Sequence, residues 1–440
     1  MAWGFETDPE YQELLDWADA FVTDEVEPVD LVIEHAWNVH DPLRQKLIPP
    51  LQQRVREKGL WATHLGPELG GKGYGQLKLS LLNEIVGRTH SGPVVFGVQA
   101  PDSGNTEILA HYGTPELKER YLRPLIENEI VSCYAMTEPQ GGSNPTEFTT
   151  TARREGKEWV INGEKWFGSN ARFAAFYIVM AVTNPDAAAH QRLSMFVVPA
   201  DTPGLSIVRN TGVWGHDHAV GTHAYTRWTD VRVPADHILG GVGRGFEVAQ
   251  TRLGGGRIHH AMRTVGLVKR SLEMMLERAV SRSTRGSRLG DKQLVQEMLA
   301  DSWIQLEQFR LLVLRTAWRI DQAQDYRKVL KDIAAVKIAM PKVLTDVAAR
   351  AVQLHGALGV SKELPLGKWL MESYQMGLVD GATEIHKISL AHQLMRDVKP
   401  HDGLFPSYHL PALEAEARAK FAVELKELED AEMTAEVELR

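Results

Sequence analysis

The stretch YAMTEPQGGSN, Tyr134 to Asn144, lies where the sequence changes in character. Before about residue 130 the segments have a helical pattern, and in TPELKERYLRPLIENE the pair Thr114 and Pro115 predicts a helix start. After it, short segments rich in β-branched and aromatic residues alternate with turn signals such as EGK, NPD and DTPG, which predicts antiparallel strands. The part MTEPQGGSN carries two hydroxyl groups and several unhindered backbone N–H groups. It can wrap a polar planar ligand or serve as an ordinary interdomain loop.

A third texture begins at about residue 241, where Leu, Met and Val recur at three- and four-residue steps over long segments. This period predicts an antiparallel helix bundle, in which Pro341 should kink or break its helix. The predicted fold class is therefore multidomain α and β. It has an N-terminal helical domain (1–130), a central antiparallel β domain (131–240), a C-terminal four-helix-bundle domain (241–400) and an acidic C-terminal tail (401–440).

The composition excludes several classes of protein. The chain has 440 residues, 43% hydrophobic and 24% charged, as in globular proteins of two or three domains. A net charge of −8 without a basic stripe argues against nucleic-acid binding. The single Cys133 excludes an intrachain disulfide and indicates a reducing compartment. The start MAWGFETDPE is unlike a signal or transit peptide, and no apolar run approaches the roughly 20 residues of a membrane span. We therefore expect a soluble cytoplasmic protein.

Glycine clusters and histidines are the other candidates for chemistry. GGKGYG, GGVGRG and LGGGR lack the full G-x-G-x-x-G spacing and its strand–helix context, so we interpret them as turns at domain joints. His216-Asp217-His218 has no third ligand at a recognised spacing, which favours a solvated loop over a metal site. His259 and His260 are either polar residues at the core edge or the lining of a polar pocket. No metal site is predicted.

The stretch GLVDGATEIHK, Gly377 to Lys387, places one carboxylate, Asp380, at the joint between two helical segments. One interpretation is a helix N-cap, with Gly381 easing the turn. The other is a catalytic base. The stretch alone does not decide between them.

Six segments stand out along the chain, and their order is part of the argument. They are YAMTEPQGGSN, INGEKWFGSN, VRVPADHILGGVGRGF, RSTRG (282–286), VQLHGALG (352–359) and GLVDGATEIHK. Together they resemble the acyl-CoA dehydrogenase flavoprotein family, collinearly from about residue 50 to about residue 400. Within it, APDSGN, RLGGGRIHH and the Asp-Gly pair resemble the branch of acyl-CoA dehydrogenase family members ten and eleven.

The resemblance implies an acyl-CoA dehydrogenase-like fold with one FAD per subunit. It assigns cofactor contacts to Met136, Thr137, Gly142, Ser143, Phe167, Ser169, Arg282, Thr284, Gln293, Gln353, Gly356, Thr383 and Glu384, and substrate contacts to Ser143, Arg257 and Gly381. Phe167 and Ser169 would lie against the isoalloxazine ring, with Ser169 near N5. The predicted cofactor residues between 282 and 356 would bind the diphosphate and adenine of FAD across a subunit interface. An arginine is well suited to binding a diphosphate.

The resemblance also implies a role for Asp380, because the family has its catalytic glutamate there. Some relatives instead place the base just before Arg257, where this chain has Gly256, which cannot serve. Asp380 is therefore the predicted base, which takes the α-proton of a thioester while the β-hydride passes to flavin N5. We expect apolar walls around it and a pKa raised toward neutrality by burial.

Six positions depart from the family pattern: Asn144, Phe167, Gly254, Arg285, Ala357 and Ala382. They bear on cofactor geometry and thioester recognition more than on the fold. The predicted function is α,β-desaturation of an acyl-CoA by a homodimer or homotetramer that passes electrons to an electron-transfer flavoprotein. The alternatives are a flavin oxidase similar to nitroalkane oxidases, which also use an aspartate base, and a non-catalytic relative that binds nucleic acid.

Overall fold

The computed structural model describes residues 7–69, 71–213 and 221–438. His216, Asp217 and His218 lie outside these residues. The predicted order of helical domain, β domain and helical bundle is confirmed by the order of the elements. The bounds predicted for the domains remain predictions.

The N-terminal part is helical. Its helices are α1 (Pro9–Phe21), α2 (Pro42–Glu57), α3 (Gly75–Val86), α4 (Gly92–Val95), α5 (Asp102–Tyr112), α6 (Pro115–Leu117) and α7 (Arg123–Ile126). The predicted helix start is confirmed, because the Thr114 hydroxyl accepts a hydrogen bond from the Leu117 N–H at 3.3 Å and Pro115 follows it. Phe21, Leu60 and Phe96 are buried in the core of this part.

The β domain is one mixed sheet, mostly antiparallel. Its strands are β1 (Ser132–Ala135), β2 (Thr151–Glu155), β3 (Glu158–Ser169), β4 (Phe176–Val182), β5 (Leu193–Pro199), β6 (Leu205–Thr211), β7 (His223–Pro234) and β8 (Ile238–Leu239). They lie in the order β6-β7-β3-β2-β4-β5-β8, and β1 pairs in parallel with β4. Because side chains alternate along a strand, Ile178 packs in the core that α5 and α8 share, and Val179 packs on the opposite face. Cys133 is fully buried in β1, as expected for a core residue.

Long helices form the C-terminal bundle. The elements are α8 (Gly245–Ser281), β9 (Ser283–Thr284), β10 (Ser287–Arg288), α9 (Gln293–Ala323), α10 (Leu330–His355), α11 (Ala357–Val360), α12 (Leu366–Met376) and α13 (Thr383–Met395). Ile258, Met262 and Val265 of α8 recur at helical spacing and are fully buried in its core. Helix α10 continues through Pro341, so of the two predicted outcomes the break does not occur and the kink stays a prediction.

The residues from Ala391 onward form a second compact unit. It contains α14 (Leu410–Lys420) and α15 (Ala422–Glu438), so the predicted acidic tail is helical.

Candidate active site

Helix α8 is continuous through the run LGGGR, where the sequence analysis predicted a turn. That prediction was wrong because the three glycines make room for groups from other segments. A Cβ at Gly254 would lie 3.0 Å from the Tyr326 ring, and one at Gly255 would lie 3.1 Å from a carboxylate oxygen of Glu107. A glycine in a helix interior costs about 1 kcal/mol relative to alanine. The helix therefore depends here on its packing in the bundle and not on local propensity.

The backbone of Asp380 is held firmly in the link between α12 and α13. Its φ is +54°, in the left-handed region, and that of Gly381 is +104°. Arg257 Nε donates a hydrogen bond to the Asp380 carbonyl at 3.0 Å, and His386 Nε2 lies 3.3 Å from the same oxygen. A Cβ at Gly381 would lie 2.9 Å from His386 Nε2, so glycine permits this close approach. Of the predicted substrate residues, Arg257 and Gly381 thus lie next to Asp380.

The carboxylate of Asp380 points toward α8. Its Oδ1 lies 3.6 Å from Arg252 Nη1, and its Oδ2 lies 3.6 Å from His260 Nε2. A Cβ at Gly256 would lie 2.9 Å from Oδ2, so the glycine leaves room for the carboxylate. Among the residues that the structure describes, no backbone N–H donates to this carboxylate. The geometry therefore favours a group available for chemistry over a helix cap.

The electrostatic surroundings of Asp380 correct one expectation from the sequence. Burial acts to raise the pKa of this carboxyl, but His260, Arg252, Arg257 and Lys337 outweigh burial and lower it. Burial also lowers the pKa of His260 to about 4, so at neutral pH the arginines and Lys337 supply the positive charge. The predicted apolar walls and raised pKa were wrong, because cationic side chains line the site. Asp380 is ionised at neutral pH.

Lys337 was missed by the sequence analysis. Its side chain is fully buried in α10, and its ammonium donates to the carbonyl of Met376 at the end of α12. Burial lowers its pKa to about 8. The sequence did contain a signal for a buried lysine, because Lys337 follows Ile333 by four residues on the apolar stripe of α10.

A second polar cluster lies beside Gly255 and was also missed. Burial raises the pKa of Glu107 to about 8, so its carboxyl is largely protonated at neutral pH. Gln76 Nε2 donates to the Tyr326 hydroxyl at 3.4 Å, and His259 Nε2 lies 3.0 Å from Gln76 Oε1. His259 and His260 are thus both parts of polar clusters inside the fold, and the two alternatives predicted for them stay open.

The segment MTEPQGGSN is anchored by a buried ion pair. Lys165 Nζ donates to Glu138 Oε1 at 2.8 Å and to the Met136 carbonyl at 2.9 Å. Burial opposes the ionisation of Glu138, but Lys165 and backbone N–H groups lower its pKa to about 2. The Thr137 carbonyl accepts a hydrogen bond from the Trp166 N–H at 2.8 Å. These contacts bring two predicted flavin residues, Met136 and Thr137, against the end of β3.

The end of β3 presents the other two predicted flavin-ring residues. Phe167 has a φ of +54° and is 41% exposed, although large aromatic side chains are usually buried. Ser169 Oγ lies 3.0 Å from His223 Nδ1 of β7. A Cβ at Gly168 would lie 2.9 Å from Cys133 Sγ, so β3 and β1 approach closely here.

The remaining predicted cofactor residues lie elsewhere on the chain. The Thr383 hydroxyl donates a hydrogen bond to the Gly377 carbonyl at 3.1 Å, which closes the link between α12 and α13. The exposed ones are Gly142, Ser143, Arg282, Thr284, Gln293, Gln353, Gly356 and Glu384. Within the described parts of the chain, no hydrogen bond or ion pair joins them to Asp380.

The described residues contain no group of three or more His, Cys, Asp or Glu that could hold a metal ion. In the same parts of the chain, no helix is long and apolar enough to cross a membrane.

Models of three protein domains match the chain in succession. They are the acyl-CoA dehydrogenase N-terminal domain over residues 8–129, the middle domain over 133–227 and the C-terminal domain over 243–395. Together they account for most of the chain, and they leave out the residues after 395.

Individual proteins are similar over most of this chain. FadE2 of Mycobacterium tuberculosis, described as an acyl-CoA dehydrogenase, is 40% identical over 78% of this chain and 84% of its own length. Acyl-CoA dehydrogenase family member 11 of Gallus gallus is 37% identical over 88% of this chain, which spans only 50% of that relative. A structure described as an acyl-CoA dehydrogenase of Mycobacterium abscessus superposes with a TM-score of 0.82 at 35% identity, over 89% of this chain and 99% of the other.

Proposed function

Because the chain belongs to the acyl-CoA dehydrogenase family, we propose that it desaturates an acyl-CoA thioester between its α and β carbons, with Asp380 as the base. The enzyme is an FAD-dependent oxidoreductase. FAD, when bound, supplies the acceptor for the hydride that leaves the β carbon. The acyl group, the electron acceptor and the roles of the individual residues are parts of the proposal.

The residues of this chain fit a flavin. The exposed ring of Phe167 offers an apolar surface for a planar group, and the loop with Gly142 and Ser143 offers backbone N–H groups free of large side chains. The cations Arg252, Arg257, Arg263 and Lys337 all lie near the ionised carboxylate of Asp380. This positive balance suits a cofactor that gains negative charge on reduction.

The position of the Asp380 carboxylate is the observation that carries the proposal. It lies over Gly256, its backbone is fixed by Arg257, and its lowered pKa keeps it ionised at neutral pH. An ionised carboxylate can accept a proton at once. Its low basicity means that orientation must supply much of the rate, since a base acts efficiently only when held within hydrogen-bond reach.

The proposed binding residues divide by location. Met136, Thr137, Gly142, Ser143, Phe167, Ser169, Thr383 and Glu384 would hold the flavin part, and Ser143, Arg257 and Gly381 would contact the substrate. Arg282, Thr284, Gln293, Gln353 and Gly356 would hold the diphosphate and adenine of an FAD shared with a second subunit. Their exposure supports this, because a single chain leaves them facing solvent.

The first expected result is that an acyl-CoA bleaches the yellow protein. Anaerobic addition of a panel of acyl-CoAs should reduce the bound FAD, because removal of the α-proton commits the β-hydride to the flavin. The absorbance of the oxidised flavin measures this, and enoyl-CoA should appear in equal amount. Electron-transfer flavoprotein should then reoxidise the enzyme.

A flavin oxidase is the alternative, and Gly254 gives it some support. This position holds no acid and packs against Tyr326, whereas some relatives use an acid here for the CoA end. Oxygen consumption with nitroalkanes, without reduction by any acyl-CoA, would favour the oxidase.

A second expected result concerns assembly. We expect a homodimer or homotetramer with FAD contacted by two chains. Light scattering on the FAD-replete protein measures the mass, and Arg282→Ala should weaken FAD binding without changing Asp380. An FAD-replete monomer would contradict the shared site.

A further inference from the structure

In the segment APDSGN, Ala100 to Asn105, the two most deeply buried polar side chains have no role so far. Asp102 is 1% exposed and Asn105 is fully buried, both in α5. Asp102 Oδ1 accepts two hydrogen bonds from Ser132 of β1, from the N–H at 2.8 Å and from the hydroxyl at 2.6 Å. Burying such groups is costly unless they are hydrogen-bonded, so the bonds they make are informative.

The hydrogen bonds have a definite direction. The single hydroxyl proton of Ser132 goes to Asp102, so Ser132 Oγ accepts from Asn105 Nδ2 at 2.8 Å. This fixes which way the Asn105 amide faces. Its Oδ1 therefore accepts from Arg252 Nε, at 3.0 Å. The chain of bonds thus runs from Asp102 through Ser132 and Asn105 to Arg252.

Arg252 is held on other sides as well. Its guanidinium lies over the Tyr134 ring, 3.9 Å from the centroid. Gly104 permits its stem to pass, because a Cβ there would lie 2.8 Å from Arg252 Cγ. Of its two terminal nitrogens, Nη1 lies 3.6 Å from Asp380 Oδ1. That distance is within ion-pair range but longer than a hydrogen bond, so Arg252 attracts the carboxylate without occupying a lone pair.

We propose that Arg252, held by the chain Asp102–Ser132–Asn105, is the positioning residue that orients the Asp380 carboxylate for proton abstraction. Asp380 contacts the substrate, whereas Arg252 acts through Asp380. The inference rests on the proposed function, in which Asp380 is the base. It gives three buried polar side chains of two other domains a part in the reaction.

Other charged or titratable groups also face Asp380. They are Arg257, His260 and Arg263 of α8, Lys337 of α10, His386 of the α13 segment and Tyr134 of β1. Arg257 and His386 reach its backbone carbonyl, and His260 is neutral at neutral pH. Arg252 is the permanent cation in ion-pair contact with the carboxylate itself.

The test follows flavin reduction by the best acyl-CoA against pH in the FAD-loaded full chain. Arg252→Gln should slow reduction at saturating substrate roughly tenfold, with little change in KM. The acid limb of the variant's pH profile, where the reduction rate falls as pH is lowered, should move to higher pH by about one unit, because loss of a cation raises the pKa of Asp380. Ser132→Ala, which leaves Arg252 and Asp380 intact, should shift the limb in the same direction by less. Arg252→Lys should return the acid limb to its wild-type pH but should not restore the full rate, because an ammonium lacks the rigid, planar donor geometry of a guanidinium.

Arg310→Gln is the matched control. It removes an arginine paired with Glu84, away from Asp380, and should leave the pH profile unchanged. A double-mutant cycle in Tm with Arg252→Gln and Asp380→Asn reports the ion pair without turnover. Coupling in Tm, together with the shifted limb in Arg252→Gln and Ser132→Ala, supports the proposal. An unshifted limb in Arg252→Gln overturns it, even if coupling is found. If Asp380→Asn alone kept its rate of flavin reduction, the assignment of Asp380 as the base would instead be refuted.

Discussion

Asp380→Asn is expected to slow reduction of the bound FAD by acyl-CoA roughly 10²- to 10⁴-fold. The amide has the shape of the carboxylate but cannot take up the α-proton. Anaerobic stopped-flow measurement of flavin absorbance gives the rate. FAD should remain bound, because the proposed flavin contacts lie on other residues. Asp397→Asn is the control, since it removes an exposed carboxylate and should leave the rate unchanged.

The stability of this variant has a defined pH dependence. The folded-state pKa of Asp380 is lowered, so its ion pairs stabilise the fold above the unfolded-state pKa, and this contribution is lost as pH falls through the folded value. The Tm difference between wild type and Asp380→Asn should therefore be largest at neutral pH and narrow in acid. Near-normal flavin reduction in the variant would refute Asp380 as the base. Asp380→Glu should give a partial loss, because it keeps the charge but moves it outward.

Gly256→Ala is expected to slow flavin reduction by about 10²-fold without unfolding the protein. The new methyl would lie 2.9 Å from Asp380 Oδ2, closer than a carbon and an oxygen can pack, so the carboxylate must move. Alanine is the better helix former by about 1 kcal/mol, which offsets part of the strain. Stopped-flow flavin reduction and Tm measure the two effects separately.

The matched control is Gly367→Ala in α12. Its Cβ would have only a Gly359 carbonyl nearby, at 3.9 Å, so the variant should keep its rate and gain stability. If Gly256→Ala also kept its rate, the carboxylate that faces Gly256 would not be the group that reacts. If Gly367→Ala lost stability, the open surroundings described for Gly367 in α12 would be wrong.

Local pattern was sufficient for much of the fold. The change of texture near residue 130 predicted the passage from helices to strands, and Thr114 with Pro115 predicted a helix start. These features depend on neighbouring residues, so a single sequence carries them. Asp380 was likewise placed correctly at a helix joint.

The features that the sequence did not reveal depend on contacts between distant segments. LGGGR is helical because Tyr326 and Asp380 fill the space that side chains would have occupied. The pKa of Asp380 is lowered because Arg252 and Lys337 approach it from two other helices. No local period encodes either fact. The cofactor residues from Arg282 to Gly356 stay predictions, because a single chain does not bring them to Asp380.

The run of glycines from Gly254 to Gly256 leaves almost a full turn of α8 bare. The outline of the space beside it is therefore set by residues that α8 does not carry, notably Tyr326, from the connection between α9 and α10, and Glu107. A surface connection can change in length or sequence at little cost to a domain. A substitution at Tyr326 can thus change the shape of this space while the helix and Asp380 remain as they are.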